Sequence, residues 1–175
     1  MSQLGLSLAV AAALAGCAPA REAQTDAPSL EARTAMQQDS LPLRRPPEAL
    51  QRAFRYSSGV ETAMRETLRD ATAWRALWTR LTSRAGPPVP PPEVDFAREM
   101  VLVAALGQRS SGGYAIRIES VRQAGGEMVA TVVQTSPGPR CGVTGALTAP
   151  ADVVIVPRSD AAVRWTVRET VTDCP

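Results

Sequence analysis

The chain has 175 residues, 45% of them apolar, which suits one globular domain with extensions. Its net charge of +2 comes from 19 arginines interleaved with 17 acids, too small and too scattered a surplus to imply nucleic acid as a partner. Histidine and lysine are both absent, which removes Ser-His-Asp and Cys-His catalysis, the usual general base near neutral pH, lysine bases and His-containing zinc sites. The expectation is a protein that is not an enzyme, with no cofactor and no metal.

Residues 1–16 carry no charge, and Leu4 to Leu14 is too short an apolar run for a membrane span but suits a signal h-region. Leu14-Ala15-Gly16-Cys17 resembles a bacterial lipobox. That resemblance implies cleavage before Cys17 and lipid on its sulfur, an anchor worth about 0.8 kcal/mol per buried methylene. An ordinary secretory signal cut near Ala18 or Ala20 is the alternative. Ala18 in place of Asp points to the outer membrane, with the protein facing the periplasm. Residues 17–53 are rich in Ala, Gln, Ser, Pro and charge, with leucines too sparse for a core, so a flexible tether is expected there. As a random coil it reaches roughly 30–36 Å.

The folded domain is expected over residues 54–175. Met64-Arg65-Glu66-Thr67-Leu68 reads as a strand. Asp70 or Thr72 then caps a helix whose Trp74, Leu77, Trp78 and Leu81 form one apolar stripe, with Arg75, Arg80 and Arg84 facing away. The stripe either packs on a sheet or presents an aromatic platform to a ligand. Gly86 to Pro92 ends the helix and is necessarily extended, as a stiff connector or a ligand for an aromatic groove. Glu93, Asp95 and Glu99 follow it without metal-loop spacing and read as solvated charges.

Met100 to Leu106 is an uninterrupted apolar run of strand length, and Tyr114, Ile116, Ile118 and Val121 then alternate with polar residues. Gly107-Gln108-Arg109-Ser110-Ser111-Gly112-Gly113-Tyr114 joins the two. Gly107 and Gly112 have phosphate-loop spacing, but Gly113 and Tyr114 stand where Lys and Ser or Thr are required. Adjacent glycines permit positive φ and a tight turn. Arg109, Ser110, Ser111, Gly112, Gly113 and Tyr114 are the candidate binding residues, because the turn displays a tyrosine, a frequent interface anchor. Alternatively the glycines serve only hairpin geometry and Tyr114 belongs to the core.

Gly125-Gly126 marks a hairpin returning through Met128 to Val133, Ser136 to Gly142 is a rigid loop, and Val153–Val156 and Val163–Val167 are further strands. The fold class expected is α+β, a mainly antiparallel sheet of about six or seven strands with one amphipathic helix packed on it. With Cys17 taken by lipid, Cys141 and Cys174 remain as an even pair in an exported protein, and a disulfide is expected.

Met100-Val101-Leu102-Val103-Ala104 to Gly107, Ser111-Gly112-Gly113-Tyr114-Ala115-Ile116-Arg117-Ile118, Pro137-Gly138, and Ala149-Pro150 to Val154-Ile155-Val156-Pro157-Arg158 together resemble the C-terminal domain of the protease complex subunit PrcB family. The likeness spans about residues 58 to 170. It implies a lipid-anchored, non-enzymatic protein that binds or stabilises an exported protein, a protease complex being the named case. Ser111-Gly112-Gly113-Tyr114 is also similar to the wedge loop of chagasin-like inhibitors of cysteine proteases. For that alternative, Gly125-Gly126 and Arg164-Trp165 are the nearest candidates for the two further loops.

Overall fold

Both kinds of apolar pattern become strands in the computed structural model, which describes residues 40–124 and 126–174. The order is α1 (Glu48–Gln51), β1 (Met64–Leu68), α2 (Ala71–Thr82), β2 (Glu99–Ala105), β3 (Ala115–Ala124), β4 (Glu127–Pro137), β5 (Ala151–Pro157) and β6 (Val163–Thr172). The six strands form two three-stranded sheets, β1-β2-β5 and β3-β4-β6. Helix α2 covers one face of the first sheet, and the second sheet covers the other. The uninterrupted run in β2 follows from this position. Val101, Val103 and Ala105 face the helix while Met100, Leu102 and Ala104 face the second sheet, so both faces are buried.

Asp70 is the helix cap, accepting from the amides of Thr72 at 3.0 Å and Ala73 at 2.8 Å. Trp74, Leu77, Trp78 and Leu81 are all buried against the sheet, with Phe54 edge-on to Trp78 at 5.6 Å. The tryptophans are therefore core, and their polar edges are used too. Trp78 Nε1 donates to the Val89 carbonyl at 2.7 Å and Trp74 Nε1 to that of Pro92 at 3.3 Å, which fastens the proline segment to the helix.

Three pairings are antiparallel, but β6 runs parallel to β4. A parallel neighbour needs a crossover. Here it passes through β5 in the opposite sheet.

Part of the expected tether is corrected. Residues 40–53 lie on the domain rather than apart from it. Leu41 donates its amide to Val121 at 2.8 Å on the β3 edge, and Arg44 and Ile155 exchange both backbone bonds on the β5 edge. The Leu41 and Leu43 side chains join the core between the sheets, while Leu50 joins the core under α2. Arg45 forms a two-pronged ion pair with buried Asp152 at 2.6 Å. Few leucines suffice because the segment adds to two existing cores and to two strand edges. The expected signal segment 1–16, Cys17 and the rest of the expected tether lie outside the described residues. Among the described residues no helix is long and apolar enough to cross a membrane.

Candidate functional site

The Gly107 to Tyr114 stretch is not a hairpin turn. Its flanking strands, β2 and β3, belong to different sheets, so it is the link that carries the chain across the sandwich. Gly107 has φ +71, and a Cβ there would stand 2.6 Å from the Ala63 amide nitrogen, so the close approach requires glycine. Gly113, at φ +84, lies against Pro137 and Val143 in the same way.

The Gln108 amide donates to Glu61 at 2.9 Å, and the other backbone bonds of this link go to the loop between β4 and β5. Arg109 and Thr148 exchange amide and carbonyl bonds at 2.7 and 3.0 Å, and the Gly112 amide donates to Thr144 at 2.9 Å. Thr148 Oγ1 adds a bond to the Ser111 carbonyl at 2.8 Å. Ser111 Oγ donates to the Gly112 carbonyl at 3.2 Å, the local bond expected of a turn serine. The link and the loop thus form a single scaffold. Cys141 and Cys174, whose Cα atoms are 5.0 Å apart, join that loop to the tail of β6. The Gly138 amide reinforces the join by donating to Thr172 at 2.9 Å.

The Arg109 guanidinium sits over the Tyr114 ring, 5.7 Å from its centre. Tyr114 is half-buried, with one side on the core between the sheets and the other lining an open groove of about 370 Å³. Arg109, Gln134, Ser136, Glu169 and Val171 are among the other residues of the groove wall. Ser110 and Gly113 are exposed beside it. Around this end the surface is unusually apolar: Val143 is 41% exposed, Leu147 59% and Val171 61%. Val143 abuts Gly113 and Val171 abuts Gly138, which makes the patch continuous with the link.

Other residues singled out in the sequence fall elsewhere. Arg164 and Trp165 pair with Val129 and Ala130 at the start of β6, beside the β3–β4 turn that contains Gly126; Gly125 lies outside the described residues. That end and the Ser110–Tyr114 link are separated by the length of β3, ten residues or about 30 Å. The three loops of a chagasin-like wedge therefore do not share an edge, which removes the geometry that alternative requires. Among the acids, Glu99 is turned toward Arg44 at 2.6 Å, and the Arg44 hydrogen bonds hold its carboxyl below the usual 4.5. The described residues contain no acidic cluster able to hold a metal. Gln134, Glu169 and Val171 carried no signal as site residues, because strand alternation does not say which end of a strand faces a groove.

Residues 100–157, from β2 to β5, match the family model described as PrcB C-terminal. No curated protein and no solved structure matches the chain. The matched stretch contains the link, the groove wall on β4 and the whole β4–β5 loop, while α2 and β6 lie outside it. From Met100 to Pro157, about a third of its length, the chain is therefore similar to the PrcB C-terminal family.

Proposed function

We propose that this is a non-enzymatic accessory protein of the cell envelope, held to the outer membrane by lipid on Cys17, which binds and stabilises another exported protein. A protease complex is the partner that the PrcB description suggests. The contact surface is the end of the sandwich built from the Arg109–Tyr114 link, the disulfide-tied loop and the tail of β6.

One observation carries this reading: of the five large apolar side chains that stand exposed among the described residues, Val143, Leu147 and Val171 lie on this end. Concentrated apolar surface beside a tyrosine and an arginine is how protein contacts are built. Cross-linking and recovery of the full chain from envelope preparations tests it. Tyr114→Ala and Arg109→Ala are expected to lower recovery of a specific partner about ten-fold, and equal recovery with all three forms would sink the assignment of this surface. The anchor is tested separately by mass spectrometry of the mature amino terminus, where a diacylglyceryl-modified Cys17 is expected and an unmodified N-terminal peptide counts against it.

A further inference from the structure

Among the described residues, two of the four outer sheet edges carry an isolated bridge from the segment before α1, and the long edge of β6 carries none. Residues 40–44 pair with the outer edges of β3 and β5, and the remaining edge of the first sheet, β1, is only five residues long. Strand β6 has ten residues and, among the described residues, a single neighbour in its sheet, β4. About half of its residues therefore direct N–H and C=O groups outward, with nothing among the described residues paired to them across that edge. Open edges are normally blunted by proline, glycine bulges or inward-pointing charge. Val163 to Thr172 contains no proline or glycine, its one inward-pointing charge, Glu169, stands near its end, and six of its ten residues are Val or Thr, the types that favour strands.

The two faces of β6 differ in chemistry. On the side toward the other sheet stand Val163, Trp165, Val167, Glu169 and Val171, with Val167 37% and Val171 61% exposed. The outer side carries Arg164, Thr166, Arg168, Thr170 and Thr172. Glu127 and Glu119 meet the two arginines, at 3.5 and 2.6 Å. A second copy pairing antiparallel along this edge would bring Arg168 beside its own twin or beside Arg164, in any register that uses most of the strand. It would also bury little area, since edge pairing alone falls short of the roughly 1,200–2,000 Å² of a stable interface. A partner that also covers the groove and the Val143–Leu147 loop has no such shortfall.

We propose that the free edge of β6 takes an extended segment of the partner protein as an added strand. Apolar side chains of that segment lie along Trp165, Val167 and Val171, and alternate acidic or hydroxyl side chains lie along Arg164 and Arg168. This rests on the contact reading above, because Glu169 and Val171 of the same edge line the groove beside Tyr114. Main-chain bonds supply affinity, and the alternating faces supply selectivity.

The test titrates the full chain into the labelled peptide Thr-Val-Asp-Val-Thr-Val-Asp-Val and, as control, into Val-Val-Val-Val-Thr-Asp-Thr-Asp, reading anisotropy. Tighter binding of the alternating peptide is expected, weakened about ten-fold by Val167→Lys and by Val171→Lys, both at exposed sites that leave thermal unfolding unchanged. Amide exchange is expected to slow along residues 163–172 when the peptide is present. No preference for the alternating order, unchanged binding in both lysine variants, or protection at β1 instead overturns the proposal. So does a dimer of the full chain that Val167→Lys dissociates, since a second copy then occupies the edge. In the cross-linking experiment, a partner lost with Tyr114→Ala but retained with both lysine variants removes the added strand and leaves the contact surface standing.

Discussion

Ile118 gives both of its backbone groups to an ion pair. Its amide donates to Asp152 Oδ2 at 2.7 Å and its carbonyl accepts from Arg45 Nη2 at 2.6 Å, at the bulge where the β3–β4 register shifts. Asp152 on β5 is thereby tied to β3 in the opposite sheet and to the incoming strap. Removing Asp152 leaves a part-buried cation without its counter-ion and the Ile118 amide without its acceptor, so Asp152→Ala is expected to cost about 3 kcal/mol in chemical denaturation. Glu99 makes a milder case, because Arg44 is about half exposed. Its folded pKa is lowered from 4.5, so the stabilisation is complete above that value and is lost as pH falls through the folded one. Glu99→Gln is expected to lower stability near neutral pH by less than about 1 kcal/mol and to flatten that part of the acid slope. Denaturant midpoints measured from pH 7 down to pH 3 check both statements.

Helix α2 illustrates how one element supports two others. Its apolar stripe seals the face of β1-β2-β5, and its two indole N–H groups hold the proline segment. Trp78 is 1% exposed, and Trp78→Ala is expected to cost about 3–5 kcal/mol on unfolding. Strand β6 shows where a local pattern stops being informative. Alternation identified the strand, yet nothing in residues 163–167 says that the neighbour is β4 and that the pairing is parallel. That follows from two reversals of the chain, one into β5 and one out of it, which only the packing of the two sheets brings about.

At the level of the entire domain, the disulfide closes a loop of 33 residues that contains β5 and β6 and ends at the candidate contact surface. Replacing Cys141 and Cys174 with Ser is expected to lower stability by about 3–4 kcal/mol from loop entropy, or roughly 10 °C in Tm by calorimetry. The loop from Gly138 to Thr148 should loosen first, since the sulfur bridge and the Gly138–Thr172 bond tie it to β6. Partner recovery is then expected to fall in reducing buffer at temperatures where the core is still folded.

Composition and period alone were enough for the lack of histidine, the span of β1 and, to within one residue at each end, that of β2, a helix cap at Asp70 or Thr72, the Trp stripe and the pairing of two cysteines. These are local or additive properties, carried by neighbouring residues or by counting. The crossing of the glycine link between sheets, the docking of residues 40–53, the Arg45–Asp152–Ile118 clamp and the parallel pairing of β6 with β4 depend on residues tens of positions apart meeting in space. Contacts of that kind have no signature in a single stretch of chain, because each partner looks like an ordinary surface residue until the two sheets close on one another.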